Sequence, residues 1–128
     1  MKIIQNKWIN KFIPLPNFRA CNLFGVVFVR GTRPLSDVTI NHESIHSQQF
    51  YEITAVGFAL AILLFPLSWI FLLFAPFFYY IVYVLEWIIR LPMGDAYRSI
   101  SFEKEAYDNE DYLGYLKERK PFSFLNYL

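Results

Sequence analysis

Two histidines occur in this 128-residue chain, and both stand in one pentapeptide, His42-Glu43-Ser44-Ile45-His46. Residues four apart on a helix share a face about one turn apart, so two neutral imidazoles in this spacing can point at a single divalent ion. Glu43 directly follows the first of them and can serve as general base toward a water activated by that ion. The chemistry that suits these residue types is zinc-assisted hydrolysis, with Zn2+ as cofactor. A catalytic zinc needs three protein ligands and an open position. With no third histidine, and a single cysteine (Cys21) that reads as a small apolar filler, the third ligand is expected to be a carboxylate. Glu103 and Glu105, in Ser101-Phe102-Glu103-Lys104-Glu105-Ala106-Tyr107-Asp108, are the candidates.

Those carboxylates lie far along the chain, so the intervening elements must bring them back. From Ile53 to Leu85 there are 33 residues without a charge. As one helix they would extend ~50 Å, against a hydrocarbon core of ~30 Å. They are slightly too few for two independent spans of ~20 residues each. A transmembrane hairpin reconciles the lengths: the first helix borrows its opening turns from the motif region, and the second runs on to Leu91. The turn is expected near Pro66 or between Pro66 and Pro76. Six Lys/Arg precede the run and six follow it, which places both ends on the cytoplasmic side of the membrane. Such a hairpin returns residues 92–128 to the face that carries the histidines.

The remaining segments read as follows. Met1 to Leu15, with lysines at 2, 7 and 11, lacks a continuous apolar core and reads as an amphipathic segment lying on a membrane or on the domain, without a cleavable signal. Ile13 to Asn17, with two prolines, is expected to be irregular. Asn22 to Arg30 is rich in β-branched and aromatic residues and reads as a strand, with a turn over Gly31 to Leu35. Ser36 or Asp37 can cap a helix beginning near Val38. Glu86 and Arg90 form a helical pair at the exit of the apolar run, which Leu91 to Asp95 ends. From Ala96 to Tyr115 the chain is polar, with Tyr107, Tyr112 and Tyr115 expected to face something apolar. The basic, aromatic tail from Lys117 suits a membrane surface. The fold class that follows is mainly α: a transmembrane helical hairpin, a short N-terminal β-strand or hairpin, and a C-terminal helix completing a zinc site. One domain accounts for residues 1–128, divided at 37 and 91. With 55% apolar residues and a net charge of +1, composition favours lipid as a partner and offers no case for nucleic acid.

HExxH with a downstream helical E-x-E-A resembles the gluzincin metallopeptidases, within them the small HExxHxxQ type (His42 to Gln49), and more distantly the membrane-embedded CAAX-processing zinc proteases. The resemblance covers the strand, the active-site helix and the ExEA helix, about half the chain. It implies that Glu103, followed by Ala106, is the third ligand; a shifted frame would make it Glu105. Those families often carry Asp or Asn after that Ala to orient a zinc-bound histidine. Tyr107 stands there in this chain, so Asp108 would have to substitute. Glu43 would then be the catalytic base, and Tyr97, Tyr107 or Arg98 would be the oxyanion donor. Gln49 either lines the site or is a polar residue at the membrane boundary. The activity so implied is peptide hydrolysis near the cytoplasmic face of a bacterial inner membrane, on a peptide or membrane-anchored protein, where homo-oligomerisation would assist so small a chain. The competing expectations are a non-catalytic membrane module with a structural zinc, which needs a fourth protein ligand, and a metal-free hairpin partner protein.

Overall fold

The computed structural model describes residues 2–6, 19–31 and 33–128. It is mainly helical, with a three-stranded sheet at its N-terminal end. The strands are β1 (Lys2–Asn6), β2 (Ala20–Leu23) and β3 (Val26–Arg30), in spatial order β1-β3-β2. β1 runs parallel to β3 and β2 antiparallel to it, with Leu23 paired to Val26. The stretch read as one strand from Asn22 to Arg30 is therefore a hairpin broken at Phe24-Gly25. Both turn residues have positive φ, 54° and 72°, as a two-residue type I′ loop requires. Phe24 tolerates this because its ring packs edge-on against Phe50, Phe77 and Tyr80. The start of the chain departs from expectation too. Lys2–Asn6 joins the sheet instead of forming an amphipathic surface segment, because alternating β-propensity found a partner in β3. The irregular stretch expected over residues 13–17 lies outside the described residues.

Helix α1 (Asp37–Leu64) begins where the cap predicts, with Ser36 Oγ accepting the backbone N–H of Thr39 at 3.2 Å. It stops at Leu64, two residues before Pro66, whose ring and missing N–H cannot continue the helical hydrogen-bond ladder. The chain reverses over residues 65–69 and returns through α2 (Ile70–Phe74), a 3₁₀ turn at Ala75–Phe77 that holds Pro76, and α3 (Phe78–Arg90). A second 3₁₀ turn, Leu91–Met93, leads to Gly94. Both α1 and the stretch Ile70–Met93 are long and apolar enough to cross a membrane. They pack closely at Gly57, where an added Cβ would stand 2.6 Å from Phe78 Cβ and 3.0 Å from the Ala75 carbonyl oxygen.

Short helices complete the chain: α4 (Ala96–Ser99), α5 (Ser101–Asn109) and α6 (Tyr115–Glu118), followed by a 3₁₀ turn at Ser123–Tyr127. The core under them joins Phe50 and Ile53 of α1 to Tyr79 of α3, Ile100, Phe102 of α5, and Phe124. The basic aromatic tail therefore packs into the domain as well as bordering it: Phe124 is buried against Phe102, with ring centroids 4.6 Å apart, while Leu125 and Leu128 stay exposed. Of the three tyrosines expected to face apolar surface, Tyr107 packs on the His42 ring. Tyr115 donates to Glu105, and Tyr112 is half exposed and donates to Glu118.

Candidate metal centre

The first turns of α1 and the first turn of α5 face one another, and each is held by hydrogen bonds at defined points. α5 has no capping side chain of its own, since Ile100 occupies the N-cap. Glu86 of α3 supplies the cap instead, accepting Ser101 N–H at 2.8 Å and Ser101 Oγ–H at 2.7 Å, while Arg90 donates to it at 3.2 Å. At the other end of α5 the Asn41 amide nitrogen faces the carbonyls of Asn109, Glu110 and Tyr112 at 3.1, 2.9 and 3.0 Å. β2 is fixed to α1 by Asn22, which donates to the Glu43 carbonyl and to Ser47 Oγ, both at 2.7 Å.

The result is a buried cluster of His42, His46 and Glu103, whose ligand atoms all lie within 4.8 Å of one another. The two Nε2 atoms are 3.1 Å apart. His46 Nε2 is 3.5 Å from Glu103 Oε1, and His42 Nε2 is 3.7 Å from Glu103 Oε2. Two ligands at 2.0–2.1 Å from a tetrahedral zinc stand ~3.3 Å apart, so these spacings fit one ion.

The surrounding hydrogen bonds fix which ring nitrogens carry protons. His42 Nδ1 faces Glu110 Oε2 at 2.7 Å, so it donates there. His46 Nδ1 faces Gln49 Oε1 at 2.8 Å. The orientation of that amide is determined by its other end: Gln49 Nε2 faces two acceptors, the Phe102 carbonyl at 3.0 Å and Glu105 Oε2 at 2.9 Å. Oε1 is thus the atom turned to His46, and His46 Nδ1 is a donor. With both protons on Nδ1, two Nε2 lone pairs converge beside Glu103 Oε2, a buried carboxylate oxygen with no hydrogen-bond partner. Three acceptors meeting this closely repel one another unless a proton or a metal cation lies among them, and a shared metal cation satisfies all three at once. The donor set of two imidazoles and one carboxylate suits zinc.

Without a metal, a second proton on His46, whose pKa Glu103 helps raise to about 9 against the effect of burial, takes the cation's place: burial alone would raise the Glu103 pKa, but hydrogen bonding and charge from His46, then Tyr83 and His42, hold the carboxyl below its ordinary value. Tyr83 donates to Glu103 Oε1 at 2.8 Å. The cluster opens onto a cavity of about 340 Å³, walled by β2 on one side and by Tyr79, Tyr80 and Tyr83 of α3 on the other. Glu43, Tyr97 and Cys21 also line it. Burial first, then the neighbouring Glu103 charge, pushes the Tyr97 hydroxyl above its usual range. Burial, and then Glu43, pushes the Cys21 thiol up to about 11.

Of the two carboxylates weighed as third ligand, Glu103 is at the histidines and Glu105 is not. Glu105 is fully buried on another face of α5, where Arg119 Nε donates to it at 2.6 Å and Tyr115 Oη at 2.8 Å. Asp108 is exposed, and Glu110 holds the orienting position on His42 that it was expected to fill. Tyr107 packs its ring on His42, and Arg98 lies 4.8 Å above that ring, outside the cavity lining. Gln49 is fully buried and holds His46. Sequence reasoning missed Glu110, Tyr83 and Asn41. The signal for Glu110 was its spacing, seven residues after Glu103 and so two helical turns along the same face. Tyr83 carried no signal that set it apart from Tyr79 and Tyr80 of the same helix. Comparison with known proteins returns no matching family, no matching curated protein and no matching solved structure.

Proposed function

We infer that the chain is a membrane-embedded, gluzincin-like zinc metallopeptidase that hydrolyses peptide bonds at the membrane face. The observation that carries this reading is the convergence of two Nε2 lone pairs and an orphaned carboxylate oxygen at the floor of a cavity that Glu43 lines. His42, His46 and Glu103 would hold the zinc, which when bound supplies Lewis-acid polarisation of an amide carbonyl and lowers the pKa of a water. Glu43 takes the proton from the attacking water and returns it to the leaving amine nitrogen as the C–N bond breaks. Tyr97 and Tyr83 border the cavity and place two hydroxyls beside Glu103, either of which can donate to a developing oxyanion. Among the described residues β2 pairs on one side with β3 alone, and its other edge, along the cavity, offers main-chain groups to an extended chain by strand addition. Among the described residues the cluster offers three ligands, which favours an open centre over a closed structural one.

The membrane assignment rests on the two apolar helices and on their exposed surface, including Leu63, Leu67 and Ile89, which are 70% or more exposed. An inner-membrane setting with both ends cytoplasmic accords with the even division of Lys and Arg about the apolar run. The test is metal content and hydrolysis together. Protein purified in mild detergent should carry about one zinc per chain, and His42→Ala should lose it. Glu43→Gln should keep the zinc and abolish cleavage of acyl-anchored, quenched-fluorescent peptides in phospholipid vesicles. A fully active Glu43→Gln variant overturns the mechanism, and a metal-free wild type overturns the site.

A further inference from the structure

Behind the metal cluster, on the side away from the cavity, a second set of polar groups runs through the protein. Gln49 joins the two. Its Oε1 accepts from His46 Nδ1, and its Nε2 donates to Glu105 Oε2 at 2.9 Å. Glu105 in turn accepts from Arg119 Nε at 2.6 Å, from Arg119 Nη2 at 3.2 Å and from Tyr115 Oη at 2.8 Å. Arg119 reaches past it to pair with both carboxylate oxygens of Glu52 on α1, and Glu52 also accepts the Phe122 backbone N–H at 3.0 Å. Glu105 and the Arg119 side chain are both almost fully inaccessible to solvent. A buried ion pair of this kind is poor value as a source of stability, because desolvation offsets most of its attraction. What it does provide is a fixed negative charge behind the amide that accepts the proton of a metal-ligating imidazole. An amide polarised by a carboxylate at its NH2 end is a stronger acceptor at its oxygen, and a stronger acceptor on Nδ1–H makes Nε2 a better donor to a metal.

We propose that Glu105 and Arg119 are positioning residues for the metal centre, acting on His46 through Gln49, so that the segment after α5 is part of the site although it contributes no ligand. This rests on the zinc reading above. It gives Glu105 a role complementary to that of its neighbour two residues earlier: Glu103 would hold the metal from one face of α5, and Glu105 would tune a ligand from another. Gln49, fully buried in the helix that carries both histidines, links His46 to Glu105 and must keep its amide orientation for the relay to work.

The experiment is a reciprocal exchange read out by zinc affinity, by competition with a chromophoric chelator, and by the ligand-field absorption of the Co2+-substituted full chain in detergent. Glu105→Gln should weaken zinc about tenfold and shift the Co2+ bands, as loss of an outer partner of a ligand does. Gln49→Glu should weaken it at least as much, because it sets two buried carboxylates against each other. The double variant Gln49→Glu/Glu105→Gln moves the charge one position along the relay and should bring affinity and spectrum back to within about threefold of wild type, a rescue that independent sites would not show. Gly57→Ala, which strains the hairpin far from the metal, serves as the stability control and should leave affinity unchanged. The proposal is overturned if Glu105→Gln binds zinc as wild type does, if the double variant is as weak as the singles combined, or if Gly57→Ala loses affinity in step with its melting temperature. Should Glu105→Gln fail to fold, the double variant alone decides. A wild type that binds zinc normally alongside any of these failures would leave the peptidase reading intact.

Discussion

At the scale of single residues, the site is defined by where protons are held. Glu110 and Gln49 each accept from an Nδ1–H, and each thereby turns an Nε2 lone pair inward. Removing the first of these acceptors by Glu110→Ala should weaken zinc binding about tenfold or more, measurable by chelator competition, while leaving the three ligands in place. Cys21 offers an independent probe of the cavity. With its pKa raised to about 11, its thiolate fraction near neutral pH is about a hundredfold below that of an ordinary thiol. Its alkylation by iodoacetamide should therefore be slow at pH 8 and should accelerate as pH rises through that of a free thiol and beyond. Glu43→Gln removes the second cause of the shift and should speed the reaction at fixed pH, followed by mass spectrometry. The histidine pair and the two carboxylates in contention were legible in the sequence because histidines were few and their spacing matched one helical turn. Choosing between Glu103 and Glu105 from residues alone was not possible, since both lie on a helix whose rotation about its axis is set by distant partners. Those partners, Glu86, Asn41 and Arg119, reach α5 from other elements and leave no local mark.

At the scale of elements, α5 depends on a cap donated in trans. Glu86 stands at the polar end of α3 and satisfies both the first backbone N–H of α5 and the Ser101 hydroxyl. Glu86→Ala should cost ~2 kcal/mol of stability, at the upper end of cap deletions because a buried hydroxyl is orphaned as well. The same change should lower zinc affinity, since Glu103 follows the cap by two residues. Thermal unfolding in detergent, with and without zinc, measures both. The sequence showed the Glu86–Arg90 pair but could assign it only to the helix surface, because an i,i+4 ion pair is complete without a third partner. The cap of α1 and its stop before Pro66 were legible because capping and proline geometry are local. The break at Phe24-Gly25 was hidden because phenylalanine rarely adopts positive φ, and only the ring contacts with α1 and α3 make it acceptable.

At the scale of the whole molecule, length sets the depth of the site. The uncharged part of α1, Ile53 to Leu64, rises only ~18 Å, less than a hydrocarbon core of ~30 Å. A hairpin that crosses fully therefore draws the layer containing Glu43, Gln49 and Glu52 down to the lipid boundary. In a Cys21→Ala background, Ser68→Cys at the hairpin tip should react with a membrane-impermeant maleimide added from the side opposite both chain ends. Labelling only from the same side as the ends would mean that the hairpin dips into one leaflet. Close packing of the two helices at Gly57 predicts a further effect: Gly57→Ala must push Phe78 or the Ala75 carbonyl aside, and should lower the melting temperature in detergent. The hairpin was legible from charge and length alone. Its coupling to the sheet was not, because it depends on one hydroxyl meeting one strained turn.

That meeting has a mechanical outcome. The Phe24 backbone N–H donates to Tyr80 Oη at 2.7 Å, so the tip of the β2–β3 hairpin is riveted to the second of the two stretches long and apolar enough to cross a membrane. β2 and α3 are also the opposing jaws of the cleft in which a scissile bond would lie. On the membrane-peptidase reading, any tilt that a thinner or thicker bilayer imposes on α3 is carried through this rivet to the opposite jaw, and the turnover of an anchored peptide should vary with the acyl-chain length of the vesicles that hold the protein.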